Sequence, residues 1–186
     1  MNIGVIAEDT SDVDVLYELT CKLKKENTFS FKIFVGHGCG KLRSKCTAWA
    51  ENLIKRGCSY LIFLHDLDSN NEADLYKKLT DRVKDAGFKA FVILIPVREI
   101  EAWLLSDAIA LKNTFGMTKT PNVPGRPETL MHPKEKLRDI VWRMTKKHYI
   151  NTIHNKRIAA DIRIHKINTC RSFKSYPKFI ATHMEN

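Results

Sequence analysis

The stretch that most restricts the fold of this chain covers residues 60–68, with the sequence YLIFLHDLD. Five apolar residues run without interruption, and Asp66 and Asp68 follow them. A continuous apolar run of this length is typical of a strand that is buried on both faces, and such strands belong to parallel sheets covered by helices on both sides. The stretch therefore predicts a central strand of an α/β sheet.

Asp66 and Asp68 would lie just beyond the carboxyl end of this strand, where open α/β sheets bind their ligands. Residues two apart on an extended chain point the same way, so both carboxylates could face one point. Two negative charges that close repel each other, and a divalent cation is the usual partner that resolves the repulsion. The alternative, to which the pattern alone gives equal weight, is that both acids open a loop or cap the next helix.

Strand and helix patterns alternate four times along the first part of the chain. Residues 2–7 and 90–95 predict further buried strands, whereas the alternating pattern of residues 29–35 predicts a half-exposed strand nearer an edge. Apolar residues at helical spacing separate the strands, and Thr10 or Ser11 is expected to cap the first helix. Short connections of this kind favour right-handed crossovers and a parallel sheet.

The glycine-rich segment of residues 36–42 resembles a phosphate-binding P-loop only superficially. Its spacing is GxxxGK rather than GxxxxGK, and Leu42 stands where a metal-binding Ser or Thr is needed. Two interpretations stay open for this segment. It could hold a nucleic-acid phosphate at a helix start with the help of Lys41 and Arg43, or it could be a flexible connection.

The positive charge is concentrated in the second part of the chain. The net charge is +10, but residues 1–111 contain 15 basic and 16 acidic residues, whereas residues 112–186 contain 16 and 5. This asymmetry favours a polyanionic partner, most simply DNA or RNA. The alternative is a solvated basic surface that keeps the protein soluble.

The chain of 186 residues is long enough for one domain with a small appendage. We predict an α/β domain over residues 1–115 and, over residues 116–186, a basic loop with a helical extension that packs on it. No stretch approaches the ~20 apolar residues of a membrane span, and no signal peptide is expected. The five cysteines are odd in number and scattered, as in a reduced cytoplasmic protein.

Acids also follow the first and fourth predicted strands. Glu8 follows the first and Glu99 the fourth, and Glu101 would be turned to a different side of the helix that is expected to begin near Arg98. Either these acids simply favour helix N-termini, or they converge on Asp66 because the strands at residues 2–7 and 60–64 are adjacent. A set of carboxylates without cysteine selects Mg²⁺ or Mn²⁺, which can activate water and shield the charge that develops on a phosphodiester.

The order of these acidic motifs resembles the TOPRIM fold of topoisomerases, bacterial primases, the small ribonuclease that matures ribosomal RNA, and OLD-type nucleases. That fold has a Glu after its first strand and a DxD after a later central strand, which correspond here to Glu8 and to residues 66–68. The chain is most similar to short standalone TOPRIM-like proteins of unassigned function, through residues 8–12 and the helix start EIEAWLL at residues 99–105. One departure is Asp9, which stands where these proteins usually have Gly.

The resemblance extends along most of the chain and implies a Mg²⁺-dependent nuclease or a related phosphoryl-transfer enzyme. Metal binding is assigned to Asp66, Asp68, Glu99 and Glu101, with Glu8 as general base or further ligand. Phosphate groups of DNA or RNA would be held by four basic residues: Lys41, Arg43, Lys156 and Arg157. The resemblance alone implies an ATPase partner in defence against phage or plasmids.

Two other functions are compatible with the sequence. A TOPRIM-like shell without catalytic activity could bind nucleic acid or protein as a subunit of a larger complex. A glycosyltransferase could use the DxD to hold Mn²⁺ with a nucleotide sugar, but 186 residues leave little room for an acceptor domain, and this function does not explain the basic second part.

Overall fold

The computed structural model describes residues 1–24 and 28–184. Its four strands form one all-parallel sheet in the order β2-β1-β3-β4. The predicted α/β class with a parallel central sheet is confirmed, and the architecture is Rossmann-like. The edge position predicted for β2 is also confirmed, as is the adjacency of β1 and β3, in which Ile3 pairs with Tyr60. The strands are β1 (Asn2–Ala7), β2 (Ser30–Val35), β3 (Tyr60–Leu64) and β4 (Ala90–Leu94).

Helices cover both faces of this sheet. Among the residues that the structure describes, no helix is long and apolar enough to cross a membrane. The helices are α1 (Thr10–Leu23), α2 (Cys39–Lys55), α3 (Glu72–Val83), α4 (Glu101–Leu104), α5 (Ala108–Phe115), α6 (Pro133–Thr145), α7 (Asn151–Asp161), α8 (Ile164–Ile167) and α9 (Ser175–Met184), with short 3₁₀ turns at Pro127–Thr129 and Arg171–Phe173.

The helix that was expected to begin near Arg98 begins only at Glu101. Arg98 has a φ of 67°, a left-handed conformation that a right-handed helix cannot include. Residues 101–115 also form two helices, α4 and α5, rather than one. The side chain of Asp107 accepts a hydrogen bond from the backbone N–H of Ile109 and so caps α5 as a separate helix.

Two hydrophobic clusters lie on the two faces of the sheet, because successive strand residues point to opposite sides. Ile6 and Phe63 pack with the inward faces of α2 and α3. Val5 and Ile62 pack on the other face, in a cluster that includes residues of α1 and, from the second part of the chain, Phe173. Residues of the second part, from Met117 to Met184, therefore share a core with the sheet. The predicted boundary at residues 115 and 116 stays a prediction.

Close packing explains one glycine of the segment between β2 and α2. A Cβ atom on Gly36 would lie 2.7 Å from Leu42 Cβ and 3.1 Å from the carbonyl oxygen of Gly38. On Gly40, in the first turn of α2, a Cβ atom would have no described neighbour within 4 Å beyond its own helix and chain neighbours. Gly36 thus lets this segment turn tightly against the start of α2.

Gly36→Ala is expected to destabilise the protein by about 1–3 kcal/mol, because the added methyl group forces backbone atoms apart. Gly40→Ala is the matched control, and it should stabilise the protein by up to about 1 kcal/mol, because alanine has the higher helix propensity. Urea unfolding followed by circular dichroism measures both changes. Equal stability of Gly36→Ala and the wild type would contradict the packing argument.

Candidate metal centre

A cavity of about 250 Å³ lies at the carboxyl edge of the sheet, beyond the ends of β1, β3 and β4. We call it the acidic cavity, because seven of its lining residues are acids and only one is a lysine. Its lining residues are Glu8, Asp9, Ser11, Asp12, His37, Gly38, Asp66, Asp68, Glu99, Glu101, Lys134 and Asn151.

All five acids singled out from the sequence lie at this cavity. Glu8 directly follows β1, and Asp66 and Asp68 follow β3, which is hydrogen-bonded to β1. Glu99 and Glu101 come after β4, the other neighbour of β3. The parallel order of three adjacent strands therefore brings together side chains that are far apart in the sequence.

Asp9 and Asp12 form a reciprocal cap at the start of α1. Asp9 Oδ1 accepts a hydrogen bond from the Ser11 N–H at 2.9 Å, and Asp12 Oδ2 accepts one from the Asp9 N–H at 3.0 Å. The expectation that Thr10 or Ser11 caps this helix is wrong, because the aspartate before them supplies the acceptor. Asp9, the residue that departs from the TOPRIM-like pattern, thus caps the N-terminus of α1.

Asp66 is a carboxylate with a strong electrostatic penalty. Burial raises its pKa well above the ordinary range, and the neighbouring charges of Asp12, Glu101 and Glu8 raise it further. Within the described part of the chain, Asp66 Oδ1 is buried without a hydrogen-bond partner. A buried oxygen of this kind, among like charges, is suited to a cation.

Asp12 and Glu99 also have raised pKa values, with burial as the main cause. Burial and the nearby Glu101 raise the pKa of Asp12 to about 7, although the hydrogen bond from Asp9 acts in the opposite direction. Burial also raises the pKa of Glu99, while the backbone N–H of Lys134, 2.9 Å from Glu99 Oε2, partly offsets that effect. The cavity therefore holds more carboxylates than can ionise without a compensating charge.

Glu101 is held from the second part of the chain. Its side chain is only 4% exposed, and Glu101 Oε1 accepts hydrogen bonds from the Tyr149 hydroxyl at 2.9 Å and from Asn155 Nδ2 at 3.3 Å. Burial and the charge of Glu101 raise the pKa of Tyr149, so its hydroxyl keeps the proton that it donates. The prediction that Glu101 turns to a different side from Glu99 is wrong. Because the helix begins only at Glu101, the usual helical offset does not apply, and both acids line one cavity.

Asp68 lies exposed at the rim and in a strained backbone conformation. Asp68 and Arg98 have φ values of 49° and 67°, both in the left-handed region. The Asp68 N–H donates to the Arg98 carbonyl at 3.2 Å, and Arg98 Nη1 donates to the Asp68 carbonyl at 2.8 Å. Residues other than glycine in this region cost about 1–3 kcal/mol each and are concentrated at functional sites.

The four basic residues predicted to hold phosphate lie outside the lining of the acidic cavity. Lys41 and Arg43 are in α2, and Lys156 and Arg157 are in α7. Lys156 Nζ lies 3.9 Å from Glu18 Oε1 and 5.9 Å from the centre of the Tyr17 ring. Their role in binding nucleic acid stays a prediction.

Sequence reasoning did not assign Lys134 or Asp12 to the site. Lys134 is in the first turn of α6, far from every strand in the sequence, and no local pattern connects it with Glu99. For Asp12 a signal existed, since an acid three residues after Asp9 is the pattern of a capping box and places its carboxylate near the end of β1.

The donor set of the cavity fits a hard cation, since it consists mainly of carboxylate oxygens. Across residues 1–24 and 28–184, however, no group of three or more His, Cys, Asp or Glu side chains is arranged so that it could hold a metal ion. Binding of a cation would therefore require the carboxylates that line the cavity to change their positions.

A family model described as a domain of unknown function, DUF4276, matches residues 18–180. The match begins within α1, so it includes Asp66, Asp68, Glu99 and Glu101 but not Glu8. No curated protein and no solved structure matches the chain.

Proposed function

Because the chain belongs to the DUF4276 family, a domain of unknown function, its role has to be inferred from its site, and we propose that it is a Mg²⁺- or Mn²⁺-dependent nuclease. It would cleave phosphodiester bonds in DNA or RNA at the acidic cavity. Its resemblance to TOPRIM-like proteins, which rests on Glu8, residues 66–68 and residues 99–105, favours the same function.

The observation that carries the proposal is the imbalance of charge in the acidic cavity. Seven acids and one lysine share about 250 Å³, and burial together with like charges raises the pKa of both Asp66 and Asp12. A protein keeps such an arrangement at a cost in stability, and a divalent cation removes the cost by neutralising the charges.

The residues of the cavity can be given separate roles. Asp66, Asp68, Glu99 and Glu101 would hold the cation, which when bound would polarise a phosphoryl oxygen and lower the pKa of a water molecule. Glu8 would accept the proton of the attacking water as general base. Tyr149 and the backbone N–H of Lys134 would hold Glu101 and Glu99 in position through the hydrogen bonds described above.

The choice of nucleic acid as substrate rests on charge. Residues 112–186 carry 16 basic and 5 acidic residues, and they supply α6 and α7, which contribute Lys134 and Asn151 to the cavity. A polyanion bound at the cavity would thus lie next to the part of the chain that carries the positive excess. The ATPase partner and the role in defence remain expectations from the resemblance to TOPRIM nucleases.

A second function is a binding subunit without catalytic activity. The observation that favours it is that the described acids do not form a ready three-ligand metal site. In that case the cavity would be a remnant, and the protein would bind nucleic acid or a partner protein through its basic part.

A cleavage assay separates the two functions. Wild-type protein is incubated with single- and double-stranded DNA and RNA of one sequence, in Mg²⁺, in Mn²⁺ and in EDTA. We expect cleavage of at least one substrate with either metal and none in EDTA. Binding of a substrate without cleavage in either metal would contradict the nuclease and favour the binding subunit.

A further inference from the structure

A second cavity, of about 350 Å³, lies beside the edge strand β4, between α3 and the segment that leads into α9. We call it the basic cleft, because three of its lining residues are cations and one is an acid. The cations are Arg171, Lys174 and Lys178, the acid is Glu72, and Tyr76 also lines the cleft.

Two of the cations in the basic cleft are available to a ligand. Arg171 Nη2 is bound to Glu72 Oε2 at 2.6 Å. Lys174 and Lys178 are exposed, and within the described chain neither ammonium group has an ion-pair partner. Both lysines lie at the N-terminal end of α9, where the helix dipole disfavours cations, so an anion would relieve an unfavourable arrangement.

The cleft also contains an exposed aromatic ring above an apolar floor. Tyr76, on α3, is 50% exposed, whereas Ile93 and Ile95 are 4% and 5% exposed. An exposed ring beside cations is the arrangement with which proteins bind single-stranded nucleic acid, since an unpaired base stacks on the ring while lysines contact the phosphates. Bases of a duplex are already stacked on each other and cannot enter a cleft in this way.

The basic cleft is close to the acidic cavity along the chain. Glu72 in the cleft is only four residues after Asp68 at the cavity rim, so their Cα atoms are at most about 14 Å apart. A single strand bound in the cleft could therefore reach the acids with a neighbouring phosphate.

We propose that the basic cleft, through Tyr76, Lys174 and Lys178, binds the single-stranded DNA or RNA that the acidic cavity cleaves. This inference rests on the proposed nuclease function and gives it a substrate class. It places the main contact with the strand on α3 and α9, rather than on Lys41, Arg43, Lys156 and Arg157 alone.

Fluorescence anisotropy with labelled oligothymidylate and oligouridylate in EDTA tests the cleft without any cleavage. Lys174→Gln combined with Lys178→Gln should weaken binding about tenfold or more at low salt. It should also reduce the slope of log affinity against log salt by about 1.4, because each phosphate contact on a single strand contributes about 0.7. Tyr76→Ala should weaken binding about fivefold or more with little change in slope, and Tyr76→Phe should retain it. The ratio of the two oligonucleotide affinities distinguishes DNA from RNA.

The matched control removes two exposed lysines near the amino-terminal ends of the strands. Lys55 ends α2 and Lys89 precedes β4, so Lys55→Gln combined with Lys89→Gln changes the net charge equally, outside the cleft. This control should bind like the wild type. An equal loss of affinity in both double variants, or wild-type affinity of Tyr76→Ala, would overturn the proposal that the cleft binds single strands. Binding that depends on the cleft, without cleavage in Mg²⁺ or Mn²⁺, would overturn the proposed nuclease function but leave the proposed binding role of the cleft intact.

Discussion

Asp66→Asn is expected to reduce the rate of metal-dependent cleavage about a thousandfold, because several kcal/mol of transition-state stabilisation depend on the bound cation. The same change should raise the melting temperature in metal-free buffer near pH 8, since it removes a carboxylate whose pKa is raised by burial and like charges. Affinity for nucleic acid should be retained or increased, because one negative charge disappears. Single-turnover cleavage and thermal unfolding measure these effects.

Asp85→Asn provides the control for this change. Asp85 is exposed, follows α3 and does not line the acidic cavity, so its substitution removes one negative charge without touching the site. It should leave the rate and the melting temperature near those of the wild type. If both variants cleave at the wild-type rate, Asp66 is not part of the catalytic site.

The metal-free protein is expected to lose stability as the pH rises from about 4 to about 7. Burial and the neighbouring acids raise the pKa of Asp12 from 3.8 to about 7, so the folded protein binds this proton more tightly than the unfolded chain does. The stabilisation is present below the lower value and disappears as the pH passes the higher one. At about 1.4 kcal/mol for each pKa unit, Asp12 alone contributes on the order of 4 kcal/mol.

Urea unfolding across this pH range, with and without Mg²⁺, measures the effect. Burial lowers the pKa of His65, so this residue makes the folded state more stable as the pH rises towards about 6.5, which is the opposite trend. Comparison of the wild type with Asp12→Asn therefore isolates the contribution of Asp12. That variant should show a weaker decline with pH, and Mg²⁺ should restore the stability of the wild type above pH 7. A metal-free stability that rises steadily with pH would contradict the electrostatic account.

Local sequence patterns were sufficient for the sheet and for the positions of four acids: Glu8, Asp66, Asp68 and Glu99. The apolar run of residues 60–64 predicted a central strand, and the alternation around Ile33 predicted an edge strand. Since carboxyl ends of adjacent parallel strands meet at one edge, the same strand order also predicted that Glu8, Asp66 and Glu99 lie together.

Contacts between distant segments could not be predicted in the same way. The hydrogen bond from Tyr149 to Glu101 joins residues 48 positions apart, and Arg171 reaches Glu72 across 99 positions. Such pairs depend on how α7 packs against α1 and how the segment leading into α9 reaches β4 and α3, and no local periodicity encodes that packing. The left-handed conformation of Arg98 could not be predicted from the sequence either, because it depends on the hydrogen bonds with Asp68.

The most direct test of the metal centre is a titration of the protein with Mn²⁺, in which electron paramagnetic resonance counts the free ion. The wild type and Asp85→Asn should bind Mn²⁺, and Mg²⁺ should compete for the same site. Asp66→Asn, with one fewer carboxylate in the acidic cavity, should bind at least about tenfold more weakly. Absence of Mn²⁺ binding to the wild type at millimolar concentration, or equal binding by Asp66→Asn, would contradict the assignment of the acidic cavity as a metal centre.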